Sequence, residues 1–232
     1  ARETPLLNSP FLDEIAGRPI WVKAECLQHT GSFNYRGAFA AISALSETQQ
    51  RKGVLAFSSG NHAQGVALAA KQHDTSALII MPKDAPRIKI NNTRALGAEV
   101  QLYDRHKENR EAIGATLADQ RGLTLVKPYD EPQVIAGQGT VGLEITDQCA
   151  ALNIERADVL VCCGGGGLTS GIAIALADAA PQTQVFPVEP EGFDDTARSL
   201  ATGTHQHNAP QARSICDAII TPTPGDLTFP IL

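Results

Sequence analysis

The feature that most constrains the fold of this chain is a regular alternation of short apolar segments with longer segments of helical period. The apolar, β-branched segments cover residues 54–58, 77–81, 99–103, 124–127, 158–163 and 184–188. The helical patterns between them cover residues 63–73, 87–96, 107–120, 134–152 and 168–180, and a strand at 20–24 and an alanine-rich helix at 38–45 precede them. Strands that alternate with helices in this way build βαβ units. The sequence therefore predicts the α/β class with a mostly parallel sheet.

Composition excludes several classes of function. The net charge of -6 comes from scattered acidic residues, and no basic run suggests nucleic acid as a partner. No apolar run is long enough to predict a membrane span, and no segment resembles a signal peptide, so a cytoplasmic protein is expected. Five cysteines without a CxxC motif predict buried, reduced thiols, namely Cys26, Cys149, Cys162, Cys163 and Cys216.

The segment Ser58–Gly65 falls between a predicted strand and a predicted helix. Backbone N–H groups at a helix start point outward, and the helix dipole favours anions there. The segment therefore predicts a site for a carboxylate or a phosphate. An ordinary helix start, with Ser59 or Asn61 as the N-cap, explains the same residues equally well.

A second loop of this kind follows the predicted strand 158–163. Gly164 to Gly167 are four consecutive glycines, and Leu168 then opens a helix. Glycine lets the backbone approach a ligand closely and aim several amides at it. The loop therefore predicts a phosphate site.

Residues 137–142 match the GxGxxG pattern of dinucleotide-binding folds. No strand leads directly into the pattern, because Asp130-Glu131-Pro132 intervenes, and the acidic residue Asp158 begins a strand instead of ending one. Glycines that allow close helix packing are the better interpretation, and a nicotinamide enzyme is not favoured.

Three further sets of polar residues leave alternatives open. The acidic loop of Glu189, Asp194 and Asp195 suits a hard cation such as Mg²⁺ or Ca²⁺, and a helix cap is the alternative. Arg36 could bind an anion or form a structural ion pair. His205 and His207 predict a solvated turn more than a metal site, because no third ligand is in view.

The segment His29–Ala38 runs from a Gly/Ser turn into the alanine-rich helix. Together with the two loops it resembles the active-site signature of the serine/threonine dehydratase and serine racemase family. These are pyridoxal-phosphate (PLP) enzymes of the tryptophan synthase β-like fold, also called fold type II. The resemblance implies two open parallel-sheet αβα domains. Residues 1–51 and 132–232 would form a large PLP-binding domain, incomplete at its C-terminus, and 52–131 a small substrate domain.

The resemblance also implies roles for individual residues. Ser59 would be a catalytic hydroxyl that returns a proton to the substrate, as in racemases. The other implied residues are Phe33, Asn61, Gly164, Gly165, Gly166, Gly167 and Leu168 for the cofactor, Ser58, Ser59, Gly60, Asn61 and His62 for the substrate carboxylate, and Glu189, the Phe193 carbonyl and Asp195 for a divalent cation. The substrate would be a small amino acid, namely serine, threonine or 3-hydroxyaspartate, and a homodimer or homotetramer is expected.

One position departs from the family signature. Asn34 stands where the family has the Schiff-base lysine, and an amide nitrogen can neither attack an aldehyde nor remove a proton. The chain is therefore expected to be catalytically impaired. An altered form of an ammonia-lyase and a natural relative that binds ligand without turnover both remain open.

Overall fold

The structure is a computed structural model, and it describes residues 1–209 and 211–232. These residues contain eight strands and nine α-helices. The strands are β1 (Leu6–Asn8), β2 (Trp21–Lys23), β3 (Val54–Phe57), β4 (Ala77–Pro82), β5 (Glu99–Tyr103), β6 (Thr124–Leu125), β7 (Asp158–Cys162) and β8 (Gln184–Val188). The helices are α1 (Pro10–Ala16), α2 (Asn34–Ser43), α3 (Glu47–Lys52), α4 (Asn61–Gln72), α5 (Arg87–Ala95), α6 (Arg110–Arg121), α7 (Pro132–Ala151), α8 (Gly167–Ala179) and α9 (Asp195–Thr202). The predicted α/β class is confirmed.

A four-stranded parallel sheet in the order β5-β4-β3-β6 forms the first half of the fold. Every residue of β4 is buried, as expected of a central strand that is covered on both faces. The α4 helix follows β3 and therefore begins at the carboxyl edge of this sheet. A ligand site in an open α/β sheet lies at that edge.

The second half contains β7 and β8, which pair in parallel, and the helices α7 and α8. The two helices touch through glycines: a Cβ on Gly139 would lie 3.0 Å from the Gly171 carbonyl oxygen, and one on Gly142 would lie 2.9 Å from Ala175 Cβ. The GxGxxG pattern therefore serves helix packing, and this prediction is confirmed.

The α2 helix lies between the two halves. Gly65 of α4 packs on its first turn, and Gly37 of α2 faces Val134 of α7, where a Cβ would lie 2.8 Å from the Val134 side chain. The three helices thus meet at glycines, where any side chain would collide with the neighbouring helix. This close contact fixes residue 34, the first residue of α2, relative to both α4 and α7.

Arg36 is buried in an ion-pair network. Its guanidinium contacts Glu25 at 2.8 Å and Glu144 at 2.6 Å, and Lys23 contacts Glu144 at 2.6 Å. Burial alone would raise the pKa of Glu144, but hydrogen bonds from Arg36 and Lys23 lower that pKa overall. The structural interpretation of Arg36 is therefore the correct one.

Some local predictions were wrong. The β1 strand and the helices α1 and α3 were not predicted, because β1 has only three residues and α3 (ETQQRK) is wholly polar. Among the cysteines, Cys26, Cys162 and Cys216 are exposed and only Cys163 is fully buried, although all five are free thiols. Within the described residues, no helix has both the length and the apolarity needed to cross a bilayer.

Candidate functional site

The start of α4 presents unpaired backbone amides. Gly60 is the N-cap and no side chain of the described residues caps the helix, so the N-cap interpretation of Ser59 or Asn61 is wrong. Within the described residues, the amides of Asn61, His62 and Ala63 donate no hydrogen bond, while the Gly60 amide donates to Ser58 Oγ at 3.1 Å. His62 and Ala63 are buried, and buried amides need acceptors. An anion would provide them.

The start of α8 is a second surface of the same kind. Gly166 is its N-cap and has a φ of +90°, which favours glycine. Gly165 to Thr169 are all buried, yet none of their amides donates to an acceptor in the part of the chain that the structure describes. Among the described residues, the buried hydroxyls of Thr169 and Thr221 have no hydrogen-bond partner either. These donors together match the needs of a phosphate dianion.

Each glycine of this loop also has a packing role that the sequence did not reveal. A side chain on Gly165 would collide with the Tyr129 ring, and one on Gly167 would lie 2.8 Å from the Tyr129 backbone. Side chains on Gly166 and Gly164 would lie 2.8 Å from Thr228 Oγ1 and 3.2 Å from Ile219 Cα. No local signal identifies Tyr129 or Thr228, because both lie far from the loop in sequence.

Residue 34 lies beside α4, and its neighbour Phe33 packs against a cluster that includes residues of α8. A Cβ on Gly65 would lie 3.1 Å from the Asn34 carbonyl carbon, and Gly65 is one helical turn, roughly 6 Å, beyond Asn61. The preceding residue, Phe33, packs against the apolar cluster that contains Leu168, the second residue of α8. The three segments singled out in the sequence therefore come together in the fold.

The Asn34 side chain is partly exposed and makes no hydrogen bond with the described residues. It is therefore available to a ligand between the two helix starts. Its amide nitrogen has no free electron pair for covalent bonding, so binding there would be non-covalent.

His62 and Ser59 differ in accessibility. His62 is 4% exposed, and its Nε2 lies 3.1 Å from the Val126 carbonyl oxygen. Burial lowers the pKa of His62 to about 4, a shift that the hydrogen bond to Val126 partly opposes. The imidazole is thus a neutral part of the core, whereas Ser59 is exposed at the loop surface.

The two carboxylates of the acidic loop differ in their hydrogen bonds: both oxygens of Glu189 accept one, whereas only one oxygen of Asp195 does so among the described residues. Glu189 accepts hydrogen bonds from the amides of Thr196 and Ala197 at 2.9 and 3.0 Å, so Glu189 caps α9. Asp195 is 1% exposed; its Oδ1 accepts from Asn208, while its Oδ2 has no partner among residues 1–209 and 211–232. Burial, reinforced by Glu189, raises the pKa of Asp195 to about 6.

No cluster of three or more His, Cys, Asp or Glu side chains suited to a metal ion occurs in residues 1–209 and 211–232. A cation at the acidic loop stays a prediction, because its proposed ligands are two carboxylates and the Phe193 carbonyl. His205 packs its ring against Phe229, with ring centroids 4.6 Å apart, and lies 3.6 Å from Asp226. The sequence predicted a solvated turn, but in the structure the His205 ring packs against the C-terminal residues of the chain.

An apolar groove lies outside this site. It is a groove of about 620 Å³ between α7, α8 and the last residues of the chain, and its walls are almost wholly apolar. Leu143 and Ile174 are half-exposed along it. The candidate site is therefore identified by unpaired polar groups and not by cavity size.

The chain is similar over its whole length to ammonia-lyases, serine racemases and a threonine deaminase. The chain is 46% identical over 232 residues to an L-threo-3-hydroxyaspartate ammonia-lyase from Pseudomonas sp, and spans 71% of that protein. It is 41% identical over 232 residues to a serine racemase from Schizosaccharomyces pombe, and spans 70% of it. A crystal structure of threonine deaminase from T.th. superimposes with a TM-score of 0.92 at 45% identity, covering 100% of this chain and 73% of that one.

The model of one protein family, described as "Pyridoxal-phosphate dependent enzyme", matches residues 1–232. The match extends over both helix starts and over residue 34. This chain belongs to the family of pyridoxal-phosphate dependent enzymes.

Proposed function

We propose that this chain has the site of a PLP-dependent ammonia-lyase for small β-hydroxy amino acids, with serine, threonine and 3-hydroxyaspartate as the candidate substrates. Its similarity to ammonia-lyases and serine racemases supports the reaction class. The observation that carries the proposal is the pair of helix starts whose amides donate no hydrogen bond within the described residues, with residue 34 packed against the helix of the first.

The start of α8 fits the cofactor phosphate. Five buried amides and the hydroxyls of Thr169 and Thr221 find no acceptor in the described part of the chain, and a phosphate oxygen is an acceptor with no donor of its own. When bound, PLP supplies an electron sink for negative charge at the substrate α-carbon. In this proposal Gly164 to Leu168 hold the phosphate, while Phe33 and Asn61 flank the ring.

The start of α4 fits the substrate carboxylate. Ser58, Gly60, Asn61 and His62 contribute backbone or hydroxyl donors at the positive end of the helix dipole. Ser59 is exposed beside them and would return a proton to the substrate α-carbon, which gives racemisation. Orientation of the carboxylate by this loop would decide which face of the substrate meets the hydroxyl.

Asn34 limits the chemistry of the chain. The family attaches its cofactor through a lysine amine, and an amide offers neither a nucleophile nor a base. We therefore expect the chain to bind PLP without covalent attachment and to release no ammonia from serine or 3-hydroxyaspartate.

The test restores the amine. Asn34→Lys should show a new visible absorption band with PLP, and borohydride reduction followed by mass spectrometry should find one cofactor covalently attached. Ammonia release should appear in the same variant. Asn34→Gln, which keeps an amide, is the matched control and should stay unlabelled. If Asn34→Lys also stays unlabelled while PLP binds reversibly, the chain is a ligand-binding relative and the lyase proposal fails.

A divalent cation is the second proposed ligand. The unpaired Asp195 Oδ2 and the nearby Glu189 provide hard oxygen donors, and the Phe193 carbonyl would complete the set. Mg²⁺ or Ca²⁺ should raise the melting temperature of the chain but not that of Asp195→Asn. An equal rise in both would show that the cation binds elsewhere.

The remaining proposals concern the whole protein. We propose residues 52–131 as the substrate domain and a homodimer or homotetramer as the assembly, which sedimentation of the protein would test. Free thiols at all five cysteines are typical of the cytoplasm.

A further inference from the structure

Lys89 reaches from α5 to the start of α4. A Cβ built on Gly60 would lie 3.2 Å from Lys89 Nζ and 3.6 Å from Lys89 Cδ, so the side chain lies directly over the Gly60 backbone. Its side chain is 30% exposed. A formal positive charge thus stands beside the unpaired amides of Asn61 to Ala63, and no pattern in the sequence identified it.

The partner of Lys89 comes from the far end of the chain. Lys89 Nζ lies 3.4 Å from Asp217 Oδ2, and the Asp217 side chain is 72% exposed. Two residues further on, Ile219 packs against Gly164 of the second loop. The ion pair therefore joins the two helix starts across the candidate site.

This ion pair is weak. Exposed pairs at such distances contribute about 0–1 kcal/mol, because water competes for both charges. A ligand carboxylate held by the α4 amides would be partly shielded from water, so it would attract the ammonium more strongly than Asp217 does. Exchange of Lys89 from Asp217 to such a carboxylate is thus favourable.

We propose that Lys89 is a substrate-binding residue that contacts the α-carboxylate over Gly60, and that Asp217 is the counter-ion it leaves when the substrate binds. The proposal rests on the function proposed above and adds a side-chain cation to a site otherwise built from backbone amides. No bond is formed or broken, because the exchange replaces one ion pair with another.

The test is a titration of the chain with L-serine and with L-threo-3-hydroxyaspartate, with and without PLP, that follows the Gly60 amide in ¹H–¹⁵N spectra. Lys89→Gln should weaken binding of both amino acids by about tenfold, the effect of losing one hydrogen bond to a charged group. Lys89→Arg should retain most of the affinity. Lys83→Gln removes an exposed lysine near Glu108 and is the matched control, with unchanged affinity expected.

The sign of the Asp217→Asn effect is decisive. If Asp217 is a displaced counter-ion, its removal should strengthen binding by about twofold to fivefold. If the Lys89–Asp217 ion pair only stabilises the structure of the site, Lys89→Gln and Asp217→Asn should weaken binding alike. That result would overturn the proposal. A loss confined to hydroxyaspartate would also overturn it, because Lys89 would then contact the second carboxylate.

The two proposals fail in different ways. If PLP binds but neither amino acid shifts the Gly60 amide, the role of Lys89 is refuted and the cofactor site stands. If the amide titrations follow the expected order in a chain that takes up no PLP, the proposed lyase function fails and the role of Lys89 stands.

Discussion

At the scale of single residues, His62 shows how one position can serve both the core and the site. Its backbone amide is among the unpaired donors at the start of α4, while its imidazole is buried and donates to the Val126 carbonyl. The ring can hold that hydrogen bond only as a donor, and a charged imidazole would lack solvation there. His62 therefore ties the start of α4 to the end of β6 as long as the ring is neutral.

This arrangement predicts a loss of stability in mild acid. The pKa of His62 is about 4 in the folded protein and 6.5 as its ordinary value, so the unfolded chain binds a proton first as the pH falls. The contribution of neutral His62 to the free energy of unfolding is fully present above about pH 6.5. It should be lost between about pH 6.5 and 4, which lowers that free energy by roughly 3 kcal/mol at most. Urea unfolding at several pH values measures the slope.

The control is His62→Gln, which can still donate to Val126 but does not titrate. In this variant the free energy of unfolding should differ much less between pH 7 and pH 4.5 than it does in the unsubstituted chain. If both proteins keep the same slope, another group is responsible, and His29, whose pKa is lowered by burial and by the nearby Arg2, is the next candidate.

At the scale of elements, the crossing of α7 and α8 brings the backbones of two helices into direct contact. Gly171 faces the Ile135 carbonyl and the Gly139 amide, and a Cβ there would lie 2.6 Å from the Gly139 nitrogen. Because the neighbouring atoms are backbone, they cannot move aside as a flexible side chain could. The crossing holds the start of α8, and therefore the predicted phosphate loop, close to α2.

Gly171→Ala should therefore destabilise the protein, although the same change in an exposed helix usually stabilises it. We expect a decrease of roughly 1–3 kcal/mol in the free energy of unfolding, the usual cost of overpacking. Ala177→Ser, at an exposed position of the same helix, is the control and should change little. Equal unfolding midpoints for Gly171→Ala and the unsubstituted chain would contradict the packing argument.

At the scale of the whole molecule, the Arg36 network connects segments that are distant in sequence. Arg36 on α2 pairs with Glu25 before it and with Glu144 on α7, and it also donates to the Arg2 carbonyl. Lys23 reaches the same Glu144 carboxylate. The network thus anchors the first residues of the chain to the helix that carries residue 34.

Without the Glu144 carboxylate, the buried cations Lys23 and Arg36 would each lose an ion-pair partner. Glu144→Gln is expected to lower the free energy of unfolding by about 3–5 kcal/mol, as for other broken buried pairs. Glu47→Gln breaks the exposed pair with Arg51 and should have little effect, since both side chains are largely in water. A small effect of Glu144→Gln, measured by urea unfolding, would mean that water enters the network.

Much of the fold could be predicted from the sequence. The strands 99–103 and 184–188 have the predicted bounds, and the two glycine-containing loops begin helices as expected. These features depend on local patterns, namely apolar periodicity and glycine placement, which a chain carries in any conformation. The short β1 and the polar α3 escaped prediction because no such pattern extends over them.

The sequence by itself determined the main alternation of strands and helices, the two loops that begin α4 and α8, and the absence of an amine at residue 34. Only the tertiary structure decided that Arg36 is structural, that Tyr129 packs on Gly165, and that Lys89 lies over Gly60 with Asp217 as its partner. The physical reason is distance along the chain. Lys89 and Asp217 are 128 positions apart, and no local pattern indicates which charges meet once the helices have packed.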